Sequence, residues 1–534
     1  MNITAGEATM RLLAHYGVDR VYGVPGVHTL DFCRGLGSDA AVRHIQARNE
    51  QGAGFMAEGH ARATGLPGVA LVISGPGVTN AATALGQCYA DSLPMLLISA
   101  EPVVGSIGKG WGVLHEITEQ KAVTAPLTAW SATAYRAADI PVLLAQAFSL
   151  FASERPRPVH ISIPIDVQAE LVADDWSAVI PPPRAEGSRQ RLEEAARWLR
   201  AAERPLILCG GGAVGAAGDL QSIAEALGAL VIASTAGKGI VADDHPLSLS
   251  ASTVRAETRA YIAQSDCLLA VGTELSETDS FVERLEITGR LIRIDLDPKK
   301  MNDLYPADLA IVGDAGPAMA ILAALLSDHQ NPLAAGQAKA SAAAIRQRIS
   351  DHLSASEKKH TRLLMALRAC CPAETVFSGD ACQLVYTGAF AMPVLKPRQW
   401  FYPAGYCALG NGLPNGIGAK LALPATPVVV LAGDGGFMFT VQELMTAAEL
   451  DLPLPIIIWE NGGLKQIQDD LDARGIERVG VEGANPDFEL LARAFGCHAV
   501  RPDSLEAFQA AVVSAFQSDK PTVITVHEEV KWLA

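Results

Sequence analysis

Short apolar runs recur along the chain, and each stops abruptly at glycine, proline or an oxygen-bearing side chain. The first four are Val21 to Val24, Ala70 to Ser74, Met95 to Ala100 and Val159 to Ile163. Three more follow at Pro205 to Cys209, Cys267 to Val271 and Leu291 to Leu296. The last three are Thr375 to Ser378, Val428 to Ala432 and Leu454 to Trp459. Most lack polar alternation, which predicts strands buried on both faces. Helix-length segments separate them, which predicts parallel sheets. Thr4 with Glu7 three residues on is a capping-box pattern and predicts a helix start. Pro181-Pro182-Pro183 through Ser188 reads as a linker. Residues 328 to 357, rich in Ala, Ser and Gln, read as a second linker containing some helix. The pattern predicts an α/β protein of three consecutive doubly wound units, at 1–175, 190–328 and 358–534, with no alignable repeat among them.

Composition narrows the class. A chain of 534 residues exceeds one hydrophobic core. Apolar content of 49% with 19% charge fits a well-buried globular protein. A net charge of −16 argues against nucleic acid or an anionic membrane as partner, and is compatible with a cationic substrate. Nine scattered cysteines without a C-x-x-C pair predict a reducing, cytoplasmic setting. The N-terminus has no signal-type apolar stretch, and no apolar run reaches membrane-spanning length, so no membrane is expected.

The chemistry concentrates at two strand ends. One run closes in Gly433-Asp434-Gly435-Gly436, the other in Glu460-Asn461-Gly462-Gly463. In open α/β sheets ligands sit at the carboxyl ends of strands. Asp434 and Asn461 are hard oxygen donors suited to Mg²⁺ or Ca²⁺. The glycines offer unobstructed N–H groups to a phosphate. The residues alone therefore read as a diphosphate held through a divalent cation, with a plain strand-to-helix turn as the alternative. A second glycine run, Gly210 to Gly215, invites a dinucleotide reading but lacks the full G-x-G-x-x-G context, which favours a structural or vestigial role. Glu50 opens a segment rich in small residues, where a carboxylate serves equally as a helix-dipole partner.

Gly433-Asp434-Gly435 with Asn461 27 residues after the aspartate resembles the cofactor motif of thiamine-diphosphate-dependent 2-oxo acid decarboxylases and acetolactate synthases. The resemblance implies three domains (pyrimidine-binding, central and diphosphate-binding), with thiamine diphosphate and Mg²⁺ as cofactors. It implies metal ligation by Asp434, Asn461 and the Gly463 carbonyl. Where the family has Asn-Asn, this chain has Glu460-Asn461; the ligating position is kept and its neighbour departs. The segment from Ala47 to Gly65 resembles the family's activating-glutamate region, in which the glutamate, here Glu50, hydrogen-bonds the aminopyrimidine ring. That work requires a desolvated carboxyl within hydrogen-bond reach. Gly405 to Pro414 resembles the segment that puts a bulky apolar residue, here Leu409, beneath the cofactor. Asp380 and Gln383 map near the diphosphate. Gly75 to Asn80 resembles the loop lining the reacting end of the substrate, although Asn80 reads locally as a helix-cap residue.

Val24 to Leu30, with His28, and Lys109 to Glu116, with His115, most resemble the branch that decarboxylates 5-guanidino-2-oxopentanoate to 4-guanidinobutanal. His28 and His115 are candidates for relaying a proton to the substrate, and His28 is also a candidate substrate contact. A guanidinium is best held by a carboxylate, so Glu116, Asp469 and Asp470 are candidate substrate residues. The resemblance implies a homodimer or homotetramer with the site at the subunit interface. The rivals are an acetolactate-synthase-type carboligase acting on pyruvate, a non-catalytic cofactor-binding protein on the same fold, and a flavin or nicotinamide enzyme using Gly210 to Gly215.

Overall fold

The computed structural model describes residues 2–37, 40–329 and 332–534, so residues 330 and 331 of the expected second linker lie outside it. The apolar runs form three parallel sheets. The first has six strands in the spatial order Arg43–Gln46, Arg20–Gly23, Gly68–Val72, Met95–Glu101, Val159–Pro164, Trp130–Thr133. The second has five: Leu230–Ala233, Pro205–Cys209, Cys267–Val271, Arg290–Asp295, Leu309–Val312. The third has six: Trp400–Phe401, Val376–Gly379, Val428–Gly433, Pro455–Glu460, Thr522–His527, His498–Val500. An antiparallel pair, Asn2–Thr4 with Leu171–Ala173, ties the ends of the first unit together.

Numbered by chain order within each sheet, the first and third sheets share one arrangement, 2-1-3-4-6-5, and the middle one runs 2-1-3-4-5. In all three the chain reverses direction across the sheet between the first and third strands. At such a switch point the connecting segments diverge and leave a crevice beyond the strand ends. Register fixes what stands there in the third sheet: Gly433 lies opposite Trp459, so Asp434 leaves the sheet beside Glu460, one residue before Asn461.

Local chemistry explains the element ends. Thr4 caps the first helix, Ala5–His15, by accepting from the Glu7 amide, as the capping pattern predicts. Asn49 caps the helix Glu50–Thr64 by accepting from the Gln51 amide, and Gly65, at φ +77°, ends it. The stretch 328–357 is far more helical than its composition suggests. It contains Pro332–Asp351, whose Ala338, Ala342, Ile345 and Ile349 join the core of the middle sheet.

The first and third units share a core in which the helices Glu50–Thr64 and Gly412–Ala422 cross at close range. A side chain on Gly59 would sit 2.1 Å from the Asn415 carbonyl, and one on Gly418 would sit 2.0 Å from that of Met56. Only glycine at both points permits this approach. Among the described residues, no helix is long and apolar enough to cross a membrane.

Candidate active site

Asp434 is fully buried at the end of the central strand of the third sheet. One carboxylate oxygen accepts from the Gly435 amide at 2.8 Å. The other accepts from the backbone N–H groups of Asn461, Gly462 and Gly463, at 3.0, 2.7 and 3.3 Å. Converging three successive amides on one atom requires a tight reversal, which Gly462 (φ +84°) and Gly463 (φ +115°) supply. The Asn461 side chain makes no hydrogen bond among the described residues, and the Gly463 carbonyl accepts one, from the Lys465 amide at 3.0 Å. One carboxylate, one amide oxygen and one carbonyl make a hard, neutral-rich oxygen set that fits a divalent cation whose remaining charge is met by a diphosphate. No cluster of three or more His, Cys, Asp or Glu suited to a metal occurs among the described residues.

Two residues that the sequence did not single out hold this loop. Asn485 donates to Asp434 at 2.9 Å, and Gln468 donates to the carbonyls of Gly462 and Val481, both at 3.0 Å. Glu460 also finds an account. It accepts from Arg501 at 3.1 Å and lies 3.5 Å from Asn485, so it braces the outer wall of the loop.

Asp380 ends the neighbouring strand across the switch point. Its buried carboxylate accepts from Ala381, Gly410 and Gly412 amides at 2.7, 3.0 and 3.2 Å, fixing the turn that carries Leu409. Burial pushes its pKa up to about 6 against those three donors. Gln383 reaches the rim of the metal loop and donates to Gln466 at 3.2 Å and Asp469 at 2.9 Å. Asp469 also pairs with Lys465. Asp470 is exposed and meets only Gln466, one helical turn back.

The other candidates gather at the switch point of the first sheet. Glu50 is the first residue of its helix and nearly buried, and it accepts from the Asn80 side chain at 2.9 Å. Asn80 is therefore not a cap; the N-cap of its helix, Pro76–Ala90, is Gly75, at φ +58°. Gly75 donates its amide to Gln120 at 2.8 Å and packs where any side chain would meet the His115 carbonyl at 2.4 Å. His28 is buried, bonded through Nδ1 to Ser74 at 2.5 Å, and lies edge-on to His115 with ring centroids 5.1 Å apart. Desolvation, reinforced by His115, lowers the His28 pKa, so its imidazole is neutral at physiological pH.

Glu116 has a different employment from the substrate contact expected of it. Its two oxygens accept from the amides of Gly110, Trp111, Gly112 and Val113 at 2.9, 3.2, 2.6 and 3.2 Å. A carboxylate engaged by four donors shapes the loop bearing His115 and has little capacity left for a guanidinium.

The two groups of residues are not joined within one chain. Among the described residues, no hydrogen bond or ion pair links Glu50, His28, Gly75 or Asn80 to Asp434–Gly436 or Asn461–Gly463. Each is flanked by exposed apolar side chains: Val27, Leu30, Trp111 and Leu114 beside the first; Phe439, Ile467 and Val479 beside the second.

The switch point of the middle sheet opens onto a cavity of about 270 Å³. Its glycines serve packing. A side chain on Gly210 would sit 2.4 Å from the Gly272 carbonyl, and one on Gly212 2.9 Å from the Gly272 Cα. The walls carry an ion-pair cluster in which Glu274 meets Arg155, Arg157 and Lys300, each at 2.9 Å, and Asp295 meets Arg155 at 2.6 Å. Packing thus accounts for Gly210 and Gly212, whereas a side chain on Gly215 would meet nothing within 4 Å.

Two carboxyl-edge crevices, one offering a buried glutamate and the other a hard-oxygen cradle beside glycine amides, define a diphosphate cofactor enzyme, and known proteins agree. The thiamine pyrophosphate enzyme N-terminal TPP binding domain matches residues 3–123, the central domain 192–325 and the C-terminal TPP binding domain 380–526, one for each sheet. The chain belongs to the thiamine pyrophosphate enzymes. It is 48% identical over 525 residues to the probable 2-ketoarginine decarboxylase AruI of Pseudomonas aeruginosa, covering 98% of this chain and 93% of that protein. Acetolactate synthase isozyme 3 large subunit of Escherichia coli is 30% identical over 513 residues, 92% of this chain and 89% of that one. Acetolactate synthase of Mycobacterium bovis is 31% identical over 529 residues, 93% and 84% respectively.

Proposed function

We propose that this chain is a thiamine-diphosphate- and Mg²⁺-dependent decarboxylase that converts 5-guanidino-2-oxopentanoate and a proton to 4-guanidinobutanal and CO₂. The observation that carries the reading is near full-length identity of 48% to a probable 2-ketoarginine decarboxylase, against about 30% to acetolactate synthases.

Bound in this site, thiamine diphosphate supplies the nucleophilic carbon and the electron sink for loss of CO₂. The chain's own residues do the rest. Asp434, Asn461 and the Gly463 carbonyl hold the cation. The glycine turn Gly433–Gly436 would let the diphosphate approach the backbone closely, the Gly435 amide itself being engaged by Asp434. Glu50, oriented by Asn80, holds the aminopyrimidine. Leu409, on a turn fixed by Asp380, would support the cofactor. The neutral imidazole of His28, in contact with His115, accepts a proton and passes it to the substrate carbon vacated by CO₂. Asp469, presented beside Gln383, is the better-placed carboxylate for the guanidinium; Glu116 shapes the loop instead.

The separation of the two half-sites, each fringed with exposed apolar side chains, supports a homodimer or a pair of dimers in which Glu50 of one copy meets Asp434 of the next. Nine free cysteines support a reducing, cytoplasmic setting. The test is a panel of 2-oxo acids with thiamine diphosphate and Mg²⁺, following CO₂ and aldehyde. Turnover of the guanidino acid well above that of pyruvate is expected. Acetolactate from pyruvate, with no aldehyde from the guanidino acid, would establish the carboligase reading.

A further inference from the structure

We propose that Glu443 is the positioning residue for Glu50, a carboxylate of the diphosphate-binding unit that fixes the start of the helix carrying the activating glutamate. The proposal rests on the assignment of Glu50 as the residue that holds the aminopyrimidine.

Glu443 opens the helix Glu443–Glu449 and is fully buried. Its Oε1 accepts from the backbone amides of Arg48 at 3.1 Å and Asn49 at 3.2 Å. Its Oε2 lies 3.2 Å from the Arg48 amide and accepts from the Thr446 hydroxyl at 2.8 Å. Arg48 and Asn49 are the two residues before Glu50, and their backbone direction sets where the Glu50 side chain begins. Asn49 spends its own side chain on the Gln51 amide, so the amides at 48 and 49 need an outside acceptor. Glu443 is that acceptor.

The helix makes room for it. A side chain at Gly52 would place its Cβ 2.2 Å from Glu443 Oε1, so position 52 excludes everything but glycine while the carboxylate stands where it does. The salt bridge from Arg48 to Glu449, one helix face away, fastens the same two elements a second time.

The placement has a functional sense. Glu443 lies nine residues beyond Asp434, on the segment that begins as the metal turn. Between them, Thr440 donates to the Gly410 carbonyl at 2.6 Å, on the turn held by Asp380. One stretch of backbone therefore carries the cation ligand, braces the Leu409 turn and clamps the approach to Glu50. A clamp of this kind acts on orientation: a displacement of the Glu50 carboxylate by about 1 Å is enough to cost on the order of 100-fold in a step that depends on it.

The experiment compares Glu443→Gln, Glu443→Asp, Glu50→Gln and the double variant Glu50→Gln/Glu443→Gln in the full-length enzyme. Three quantities are read: amide hydrogen exchange of residues 46–52 without cofactor, thiamine diphosphate affinity, and deuterium exchange at the thiazolium C2 of bound cofactor. For Glu443→Gln we expect faster amide exchange at 48 and 49 and affinity within about threefold of the parent. We also expect C2 exchange slower by roughly 30- to 100-fold. The double variant should be no slower than Glu50→Gln, because both changes act through one group. If Glu443→Gln misfolds, Glu443→Asp, which keeps the carboxyl group and shortens the reach, carries the same expectations at smaller size. Unchanged C2 exchange in both Glu443 variants, or a double variant slower than Glu50→Gln by the full factor seen in Glu443→Gln alone, overturns the proposal. Unchanged C2 exchange in Glu50→Gln itself overturns the reading of Glu50, and this proposal with it.

Discussion

Replacing Asp434 by asparagine changes one atom and should separate the two tasks of this residue. The carboxylate accepts five hydrogen bonds: one on the oxygen facing Gly435, and four on the oxygen facing Asn461, Gly462, Gly463 and Asn485. An amide has a single acceptor oxygen. With that oxygen toward the four donors, its NH₂ group opposes the Gly435 amide, so the Gly435 N–H and the amide's own two N–H donors lack the acceptor that stood there, at about 1–3 kcal/mol for each one left buried. The opposite orientation strands four donors and is worse. The protein without cofactor should therefore lose a few kcal/mol of stability yet still fold. On the proposed assignment, cation binding loses the one carboxylate of its ligand set, a larger effect than the 10- to 100-fold typical of an outer-sphere partner, so thiamine diphosphate affinity at fixed Mg²⁺ should fall by more than about 100-fold. The assay is thermal unfolding with and without cofactor. At 100 times its dissociation constant, thiamine diphosphate stabilises the parent by about 2.7 kcal/mol, and the same concentration should stabilise the variant by less than about 0.4 kcal/mol. An undiminished cofactor shift in Asp434→Asn would refute the assignment of the cation cradle.

Other outcomes rest on the same geometry. Asn485→Ala removes the side chain that steadies Asp434 and should weaken Mg²⁺-dependent cofactor binding by about 10- to 100-fold in a fluorescence titration. Asp469→Asn should raise KM for the guanidino acid at least about tenfold in steady-state kinetics, while leaving an uncharged 2-oxo acid of equal length unaffected. Asp380 has a native pKa of about 6, above its usual 3.8. The native state therefore binds its proton more tightly, and the associated stability, present below pH 4, is lost as pH rises through 6. Asp380→Asn should abolish that contribution, about 3 kcal/mol across the window, in denaturant titrations of the cofactor-free protein.

How much the residue pattern reveals depends on how local the cause is. Pro205–Cys209 and Cys267–Val271 coincide with their apolar runs because each strand is buried on both faces and its ends are set by adjacent residues. Asp434 and Asn461 stand where the pattern puts them for the same reason: each immediately follows such a strand. The helix Pro332–Asp351 was not, because its buried stripe contains alanines that contrast little with their neighbours. Asn485, Gln468 and Glu443 carry no local signature at all. Each acts on groups brought to it by the fold, Glu443 on amides about 395 residues away. Glu460 was visible as an oddity but became intelligible only when the chain returned with Arg501. Glu116 was misleading: its sign suited a cation, yet backbone amides reached it first.

The close crossing of Glu50–Thr64 with Gly412–Ala422 also bears on synthesis. At 5–20 residues per second, the first helix emerges roughly 20–70 s before its partner exists. During that interval the face destined for burial stands open to the cell. It is built in large part from Gly52, Ala53, Gly59 and Ala63, which offer little apolar area to a wrong partner. A surface that must wait for its mate is thus made of the residues least prone to stray adhesion. Larger side chains there would endanger the nascent chain as well as the finished contact.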